Sequence, residues 1–418
     1  MCTRLFSTLV CLAVIFQTSC TRDPKEYPED LQHVLLPAFS CTQDSIFQTR
    51  AYFSFQVQQT GTVNVHNYGV VWDTFPEPRI AYARKSELGP WSGAPFSVAL
   101  DSLIPDKEYY LRAFIQTAID TVYFEQKTFR TKPVWQFLAP FPGGPASGVG
   151  LFRIGDTAFV AAGYPNLTGF HAFIPADNLW KNRGLYPGAG KNAVAAFSIG
   201  DTGYVGTGTN FSIQPVKSFV AFDTEKQVFT PITPFGGAAR EGAIAFTLGG
   251  YGYVGAGNDI VAGGSYLFDF WRFDPVANYW EKVQYNILSN PNMAFVIGNK
   301  AYLGYGLTNG VPNRDFWEFD PSKTYPWRKL RADPPPRSAA FGFSIGSKGY
   351  LTGGGNDIWE FDPYGAADGL GAWRRLDHDM PLSLSFSQAV GFDNFAIIIG
   401  GRDGAFGLSD VVLRFNPE

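Results

Sequence analysis

Ile345-Gly346-Ser347-Lys348-Gly349-Tyr350-Leu351-Thr352-Gly353-Gly354, followed by Asp357-Ile358-Trp359-Glu360-Phe361-Asp362-Pro363, is one copy of a unit that the chain carries six times. Its first half returns at 154–163, 199–208, 248–257, 297–306 and 392–401. Measured from the early Gly, whose place Asp393 takes in the last copy, successive copies lie 45, 49, 49, 48 and 47 residues apart. The second half returns as Phe173-Ile174-Pro175, Phe222-Asp223-Thr224, Phe273-Asp274-Pro275, Phe319-Asp320-Pro321 and Phe415-Asn416-Pro417. A period of this length with no helical pattern inside it predicts four short strands per unit.

Within a unit, Ala339 to Ile345 reads as an apolar first strand, turning at Gly346-Ser347 and returning through Gly349-Tyr350-Leu351. Small residues suit inner strands that converge on a shared axis. Ile358 to Phe361 is the third strand, stopped by Asp362-Pro363, where Pro fixes φ and Asp bonds the turn backbone. A Trp marks the fourth strand at 180, 280, 327 and 373, with Phe229 in the second copy. Regular repetition of that ring predicts packing between units, where a single sugar-stacking platform would need no repetition. The double Gly, the aromatic before a turn and the later Trp resemble the Kelch repeat, over about two-thirds of the chain. Gly353-Gly354 and Gly400-Gly401 keep the Gly pair; the other four copies keep only its second Gly.

The last copy stops at Phe415-Asn416-Pro417-Glu418, before a Trp strand, while a spare one, Val134-Trp135-Gln136-Phe137-Leu138, precedes the first copy. Lending it to the sixth unit leaves no blade unfinished. The expectation is a six-bladed Kelch-type β-propeller over 133–418, closed by residues 134–138.

Residues 33–132 read as a separate all-β domain, with strands near 51–57, 68–72, 121–124 and 127–131. Leu103-Ile104-Pro105-Asp106 leading to Tyr109 resembles the tyrosine corner of a fibronectin type III module. An immunoglobulin/fibronectin-like sandwich, serving as a spacer, is expected. Before it, residues 1–19 resemble a bacterial lipoprotein signal peptide: Arg4, an apolar run from Leu5 to Phe16, then Gln17-Thr18-Ser19 before Cys20. That resemblance makes Cys20 the lipid-bearing residue and 20–32, with two prolines and mixed charge, a tether. It places the protein outside the cytoplasm, on the bacterial outer membrane, held through that lipid. Cys41 is then left as a buried thiol.

The net charge of −4 and the lack of a basic run interleaved with aromatics argue against nucleic acid as partner. The four cysteines all precede residue 42, so the repeats hold no Cys-based metal site, and only His171 and His378 lie within them. His171 reads as structural and His378 as exposed. Galactose oxidase shares the Kelch-type propeller, but its copper-radical chemistry needs a Cys joined to a Tyr plus His ligands, which these repeats lack. No Ser-His-Asp order, HExxH or Walker-type loop is present. No catalytic set, cofactor or metal is expected, and the chain reads as a monomer.

In Kelch-type propellers ligands meet the face that carries the loops between strands two and three and those leading into strand one. Nine residues before the reference position stand Ala146, Lys191, Arg240, Ser289, Arg337 and Leu384. Ring symmetry would gather Lys191, Arg240 and Arg337 around one opening, where they could clamp a carboxylate or phosphate. The candidate ligand set adds Glu241, Asn258, Asp259, Asn356, Asp357, Arg402 and Asp403 from the neighbouring loops. The reading is a lipid-anchored binding protein whose propeller recognises a carbohydrate or another surface protein. The alternative is a sugar mutarotase resembling the six-bladed N-acetylneuraminate epimerases, with Arg240-Glu241 as the candidate acid–base pair.

Overall fold

The computed structural model describes residues 35–165, 167–261, 264–285, 287–404 and 407–417. The expected signal peptide, Cys20 and the expected tether lie outside the described residues. The described chain is all-β, with no helix. Its contacts divide it into two units, one holding 35–45, 52–99 and 108–129, the other 130–417 with the segments 46–51 and 100–107.

The first unit sets a three-stranded sheet, Ala38–Ile46, Ala51–Gln59 and Phe96–Leu100, beside a five-stranded one. The latter runs Arg84–Glu87, Asn67–Asp73, Glu108–Gln116 and Thr121–Tyr123, with Lys127–Arg130 also on Glu108–Gln116. Alternate residues of Ala51–Gln59 are buried, as a strand with one covered face requires. Phe53 meets Phe129 at 5.0 Å and Phe39 meets Phe124 at 4.9 Å, so aromatic rings fill the space between the sheets. Tyr109, the expected corner residue, is buried and stacks on Phe129 at 5.6 Å. Cys41, expected to be buried, is half-buried and free.

The second unit is built on six antiparallel sheets of four or five strands taken in chain order, here sheets one to six, with a two-stranded ribbon of Asn258–Asp259 and Ser265–Tyr266 beside them in the sequence. Their first strands are Gly150–Ile154, Ala195–Ile199, Ile244–Leu248, Asn290–Ile297, Phe341–Ile345 and Gln388–Gly391. Each hairpin between strands one and two in sheets one to five turns on a Gly with φ between 53° and 61°. That left-handed value is what a two-residue hairpin demands at its first position. The fourth strands of sheets one to five are Leu179–Leu185, Val228–Ile232, Tyr279–Val283, Trp327–Lys329 and Ala372–Arg375. In sheet six the fourth place is taken by Trp135–Phe137, which pairs antiparallel with Val412–Phe415.

The fourth-strand rings pack on the third-strand Phe of their own sheet, at 4.5 Å for Phe319–Trp327 and 5.0 Å for Phe361–Trp373. Trp135 makes the same contact with Phe415 at 4.7 Å. Each indole also donates sideways to a backbone carbonyl: Trp180 to Ala139, Trp280 to Thr233, Trp327 to Gln284, Trp373 to Arg331 and Trp135 to His378. The Trp series is thus a packing device. Neighbouring sheets interlock through the first-strand Phe, which sits over a small residue of the next sheet's second strand. A Cβ on Gly203 would lie 2.1 Å from Phe152, and one on Gly349 would lie 2.1 Å from Phe295. The last sheet packs on the first: Phe392, Ile397, Ile399 and Val412 share one core cluster with Val149, Leu151, Val160 and Phe173. Across that seam Arg153 donates to Gly391 O at 3.0 Å and to Asp393 Oδ1 at 3.2 Å, its guanidinium 4.5 Å from the Phe392 ring.

Candidate functional site

The first strands of all six sheets line one cavity of about 1110 Å³, slightly larger than the usual small-molecule site. Strand periodicity fixes its walls, because alternate residues face it. One tier is Leu151, Ala196, Ala245, Ala294, Gly342 and Ala389; two residues on comes Arg153, Ser198, Thr247, Val296, Ser344 and Gly391. Ser198 Oγ donates to Arg153 O at 2.6 Å and Thr247 Oγ1 to Ser198 O at 2.5 Å, tying adjacent sheets at this level. The intervening residues, Phe152, Phe197, Phe246, Phe295 and Phe343, are buried between sheets and also border the cavity.

The same alternation corrects the expected cation ring. Ala146, Lys191, Arg240, Ser289, Arg337 and Leu384 are all buried, and none lines the cavity. The next residue lines it in five of the six copies: Ser147, Asn192, Glu241, Asn290 and Ser338. A shift of one residue along an extended segment exchanges the two faces. Arg240, with no exposure at all, donates from Nη1 to Asp269 Oδ1 at 2.6 Å and to Ala256 O at 2.9 Å, its guanidinium 4.7 Å from the Phe235 ring. Arg337 makes a bidentate pair with Asp357, Nη1–Oδ1 3.1 Å and Nη2–Oδ2 2.8 Å. Asp357 also accepts from Trp359 Nε1 at 2.6 Å. Burial raises the Asp357 pKa, but the Arg337 and Trp359 hydrogen bonds outweigh it and hold the carboxyl below its ordinary value. Lys191 turns back onto the segment that leaves sheet one, donating to Tyr186 O at 3.1 Å.

Of the other candidates, Glu241, Asn258 and Arg402 line the cavity; Asp259, Asn356, Asp357 and Asp403 do not. Asp259 and Asp403 serve their own loops, accepting from Val261 N at 3.1 Å and Gly407 N at 2.8 Å. Asn356 is exposed, and its carbonyl accepts from Met380 N at 2.7 Å. His171 is buried and away from the cavity, and His378, expected to be exposed, is half-buried.

The mouth is therefore built from the segments leading into strand one and those leaving strand two, which bridge as Ser147–Tyr164, Glu241–Asn258 and Ser385–Arg402. Glu241 is half-buried, and its carboxyl makes no hydrogen bond or ion pair among the described residues. Burial pushes its pKa up. Arg402 makes no ion pair among the described residues; its guanidinium lies 5.2 Å from the ring of Tyr164, which also lines the cavity. Asn290 Nδ2 donates to Asn258 Oδ1 at 3.2 Å, and Asn292 Nδ2 donates to Ser338 O. Phe386, 49% exposed, lines the cavity from a left-handed backbone with φ 55°. Sequence reading missed Asn192, Asn290 and Phe386. The signal for the first two was available: they occupy the same place in their copies as Glu241 does in its own. Phe386 had none, since nothing local foretells a bulky residue in that conformation.

No protein-family model and no curated protein matches the chain. Among solved structures, that of YjhT is similar, at 17% identity and a TM-score of 0.56, over 66% of this chain and 96% of that one. This likeness and the repeated four-stranded sheets fit a Kelch-like β-propeller.

Proposed function

We propose that the protein is a carbohydrate-binding Kelch-type propeller whose six sheets are the blades of a ring, and that the sugar enters the central cavity. The observation that carries this reading is the mouth itself. An unpaired carboxyl (Glu241), an arginine on an aromatic face (Arg402 on Tyr164), three amides (Asn192, Asn258, Asn290) and an exposed ring (Phe386) meet at one cavity. Amides and charges satisfy hydroxyl groups, and an aromatic face covers the apolar side of a pyranose. Support for ring closure comes from the Trp135–Phe137 strand in sheet six and the core shared by sheets six and one. The remaining parts of the proposal are a lipid on Cys20, a tether over 20–32, a fibronectin-like spacer ending near 132 and an outer-membrane location. Another surface protein is the competing partner for the same face. A glycan array with the full chain tests the reading: sugar binding lost in Phe386→Ala and Asn290→Ala supports it. Binding to no glycan, or binding untouched by both changes, sinks it.

A second reading, a sugar mutarotase, is favoured by Glu241. A half-buried carboxyl with a raised pKa and no partner among the described residues has the properties of a group that gives and takes a proton. Anomer interconversion followed by NMR saturation transfer, abolished by Glu241→Gln, decides for the enzyme. Glycan binding that survives Glu241→Gln without any interconversion in the wild type decides for the binder.

A further inference from the structure

One pair of positions recurs in all six sheets: the residue leading into strand one, nine before the reference, and the residue four before the third-strand Phe. In sheet three the pair is Arg240 and Asp269, joined at 2.6 Å; in sheet five it is Arg337 and Asp357, joined at 2.8 Å. In both, the Asp also accepts from an indole two residues on, Trp271 at 2.8 Å and Trp359 at 2.6 Å. Sheets one and six fill the slot without charge, with Ala146 and Gly169 in one and Leu384 and Val411 in the other. Sheet four holds Ser289 and Asp315, and Asp315 takes its cation from Lys329 at 2.6 Å.

Sheet two departs from this. Its pair is Lys191 and Ser218. The equivalence of Ser218 with the acids is fixed by the backbone: Thr207 N donates to Ser218 O at 3.0 Å, as Ala256 N does to Asp269 O at 3.1 Å and Tyr305 N to Asp315 O at 3.0 Å. The cation has been kept and its carboxylate lost. Lys191 is 7% exposed, makes no ion pair among the described residues, and uses one N–H on Tyr186 O. Its Nζ lies 4.9 Å from the Tyr186 ring and 5.6 Å from the Phe211 ring. Two further buried polar atoms, Ser218 Oγ of sheet two and Tyr186 Oη of the segment leaving sheet one, have no hydrogen-bond partner among the described residues, and Tyr186 is 2% exposed. Burial lowers the lysine pKa, as expected where no counter-charge offsets desolvation.

We infer that this slot binds a small carboxylate of formate or acetate size, with Lys191 as counter-ion and Ser218 as hydroxyl donor. Relative to sheets three and five, Lys stands for Arg, Ser218 for Asp and Val220 for Trp, so every side chain that fills the slot is shorter and the negative charge is missing. A buried ammonium without an anion is unfavourable, and a bound anion removes that cost. The inference is independent of what the central cavity holds.

The test is a thermal melt of the full chain titrated with sodium formate, ionic strength being held constant with sodium gluconate, whose anion is too bulky for the slot. The wild type should show a saturable rise in Tm with formate. Lys191→Met should abolish that rise. Ser218→Asp should begin with a higher Tm and gain nothing from formate, its own carboxylate occupying the place. Identical melts in formate and gluconate, or a formate-dependent rise that persists in Lys191→Met, would overturn the assignment. Should Ser218→Asp fail to fold, the wild type and Lys191→Met decide alone.

Discussion

Asp269→Asn is the substitution that most directly separates a structural ion pair from a ligand site. Arg240 has no solvent exposure, while the Asp269 side chain is 20% exposed. The aspartate supplies the guanidinium with its 2.6 Å charged partner, and Arg240 Nη2 already lacks any hydrogen bond. Asparagine preserves the shape and an acceptor for Trp271 but leaves a buried cation uncompensated. Breaking such a pair from one side costs about 3–5 kcal/mol; water reaching the exposed edge of residue 269 places the expectation near the lower figure. Equilibrium urea unfolding followed by tryptophan fluorescence measures it. Removing both charges, as Arg240→Met with Asp269→Leu, should recover stability to within about 1 kcal/mol of the wild type. The acid limb should change as well. Burial raises the Asp269 pKa, but the Arg240 and Trp271 hydrogen bonds outweigh it and hold the carboxyl below its ordinary value. A depressed folded pKa contributes stability that is complete above the unfolded value of about 3.9 and lost as pH falls through the folded one. The Asn variant should lose that part of the acid sensitivity. A loss under about 1 kcal/mol, or a double variant no better than the single, would refute the reasoning.

Three further outcomes are expected. His171 is buried with Nδ1 unpartnered, and burial holds its pKa below the ordinary value; its stability contribution is therefore whole above about 6.5 and falls away below it. Tm measured from pH 7.5 downward should drop less steeply in His171→Phe, and parallel curves would contradict the assignment. Trp373→Phe should cost about 1 kcal/mol through the lost bond to Arg331 O, and Trp373→Ala about 3–5 kcal/mol. Equal losses in urea titrations of the two would show that the indole N–H is irrelevant. Burial pushes the Cys41 thiol up to about 11, so iodoacetamide at pH 8 should modify it about 100-fold more slowly in the folded protein than in urea; equal rates would disprove its shielding.

The repeat was legible because its marks are backbone requirements. A Gly at the first hairpin turn and a ring before each Asp-Pro are demanded locally, so they survive in sequence wherever the geometry recurs. The double Gly was less reliable. Ala162, Thr207, Ala256 and Tyr305 take the left-handed conformation in the four copies that lack it, with φ between 47° and 58°, so the geometry outlasts the residue type. The cavity was misread by a single residue. Gly148, Ala193, Gly242 and Phe386 carry positive φ where the chain turns into strand one, and no strand pattern yet fixes which neighbour faces inward at such a bend. Co-occurrence within copies would have separated the faces, since Arg240 and Arg337 each have an Asp four residues before the third-strand aromatic. Glu241 and Arg402 are legible as candidates, but that neither makes an ion pair among the described residues becomes visible only with the neighbours in place.

The strand Trp135–Phe137 has its hydrogen-bonding partner at Val412–Phe415. On the ribosome it is made before any of the six sheets, yet it must stay with an unsatisfied edge until nearly 300 further residues have been synthesised. Such a contact is among the most non-local a chain of this length allows, and non-local pairing slows folding. Five sheets can mature while the sixth waits, so a transcript or protease cut that removes 412–415 would release two open edges at once, one at each end of the array. Edges of that kind are templates for intermolecular pairing, which makes this late-forming ladder the place where synthesis errors would surface as aggregation.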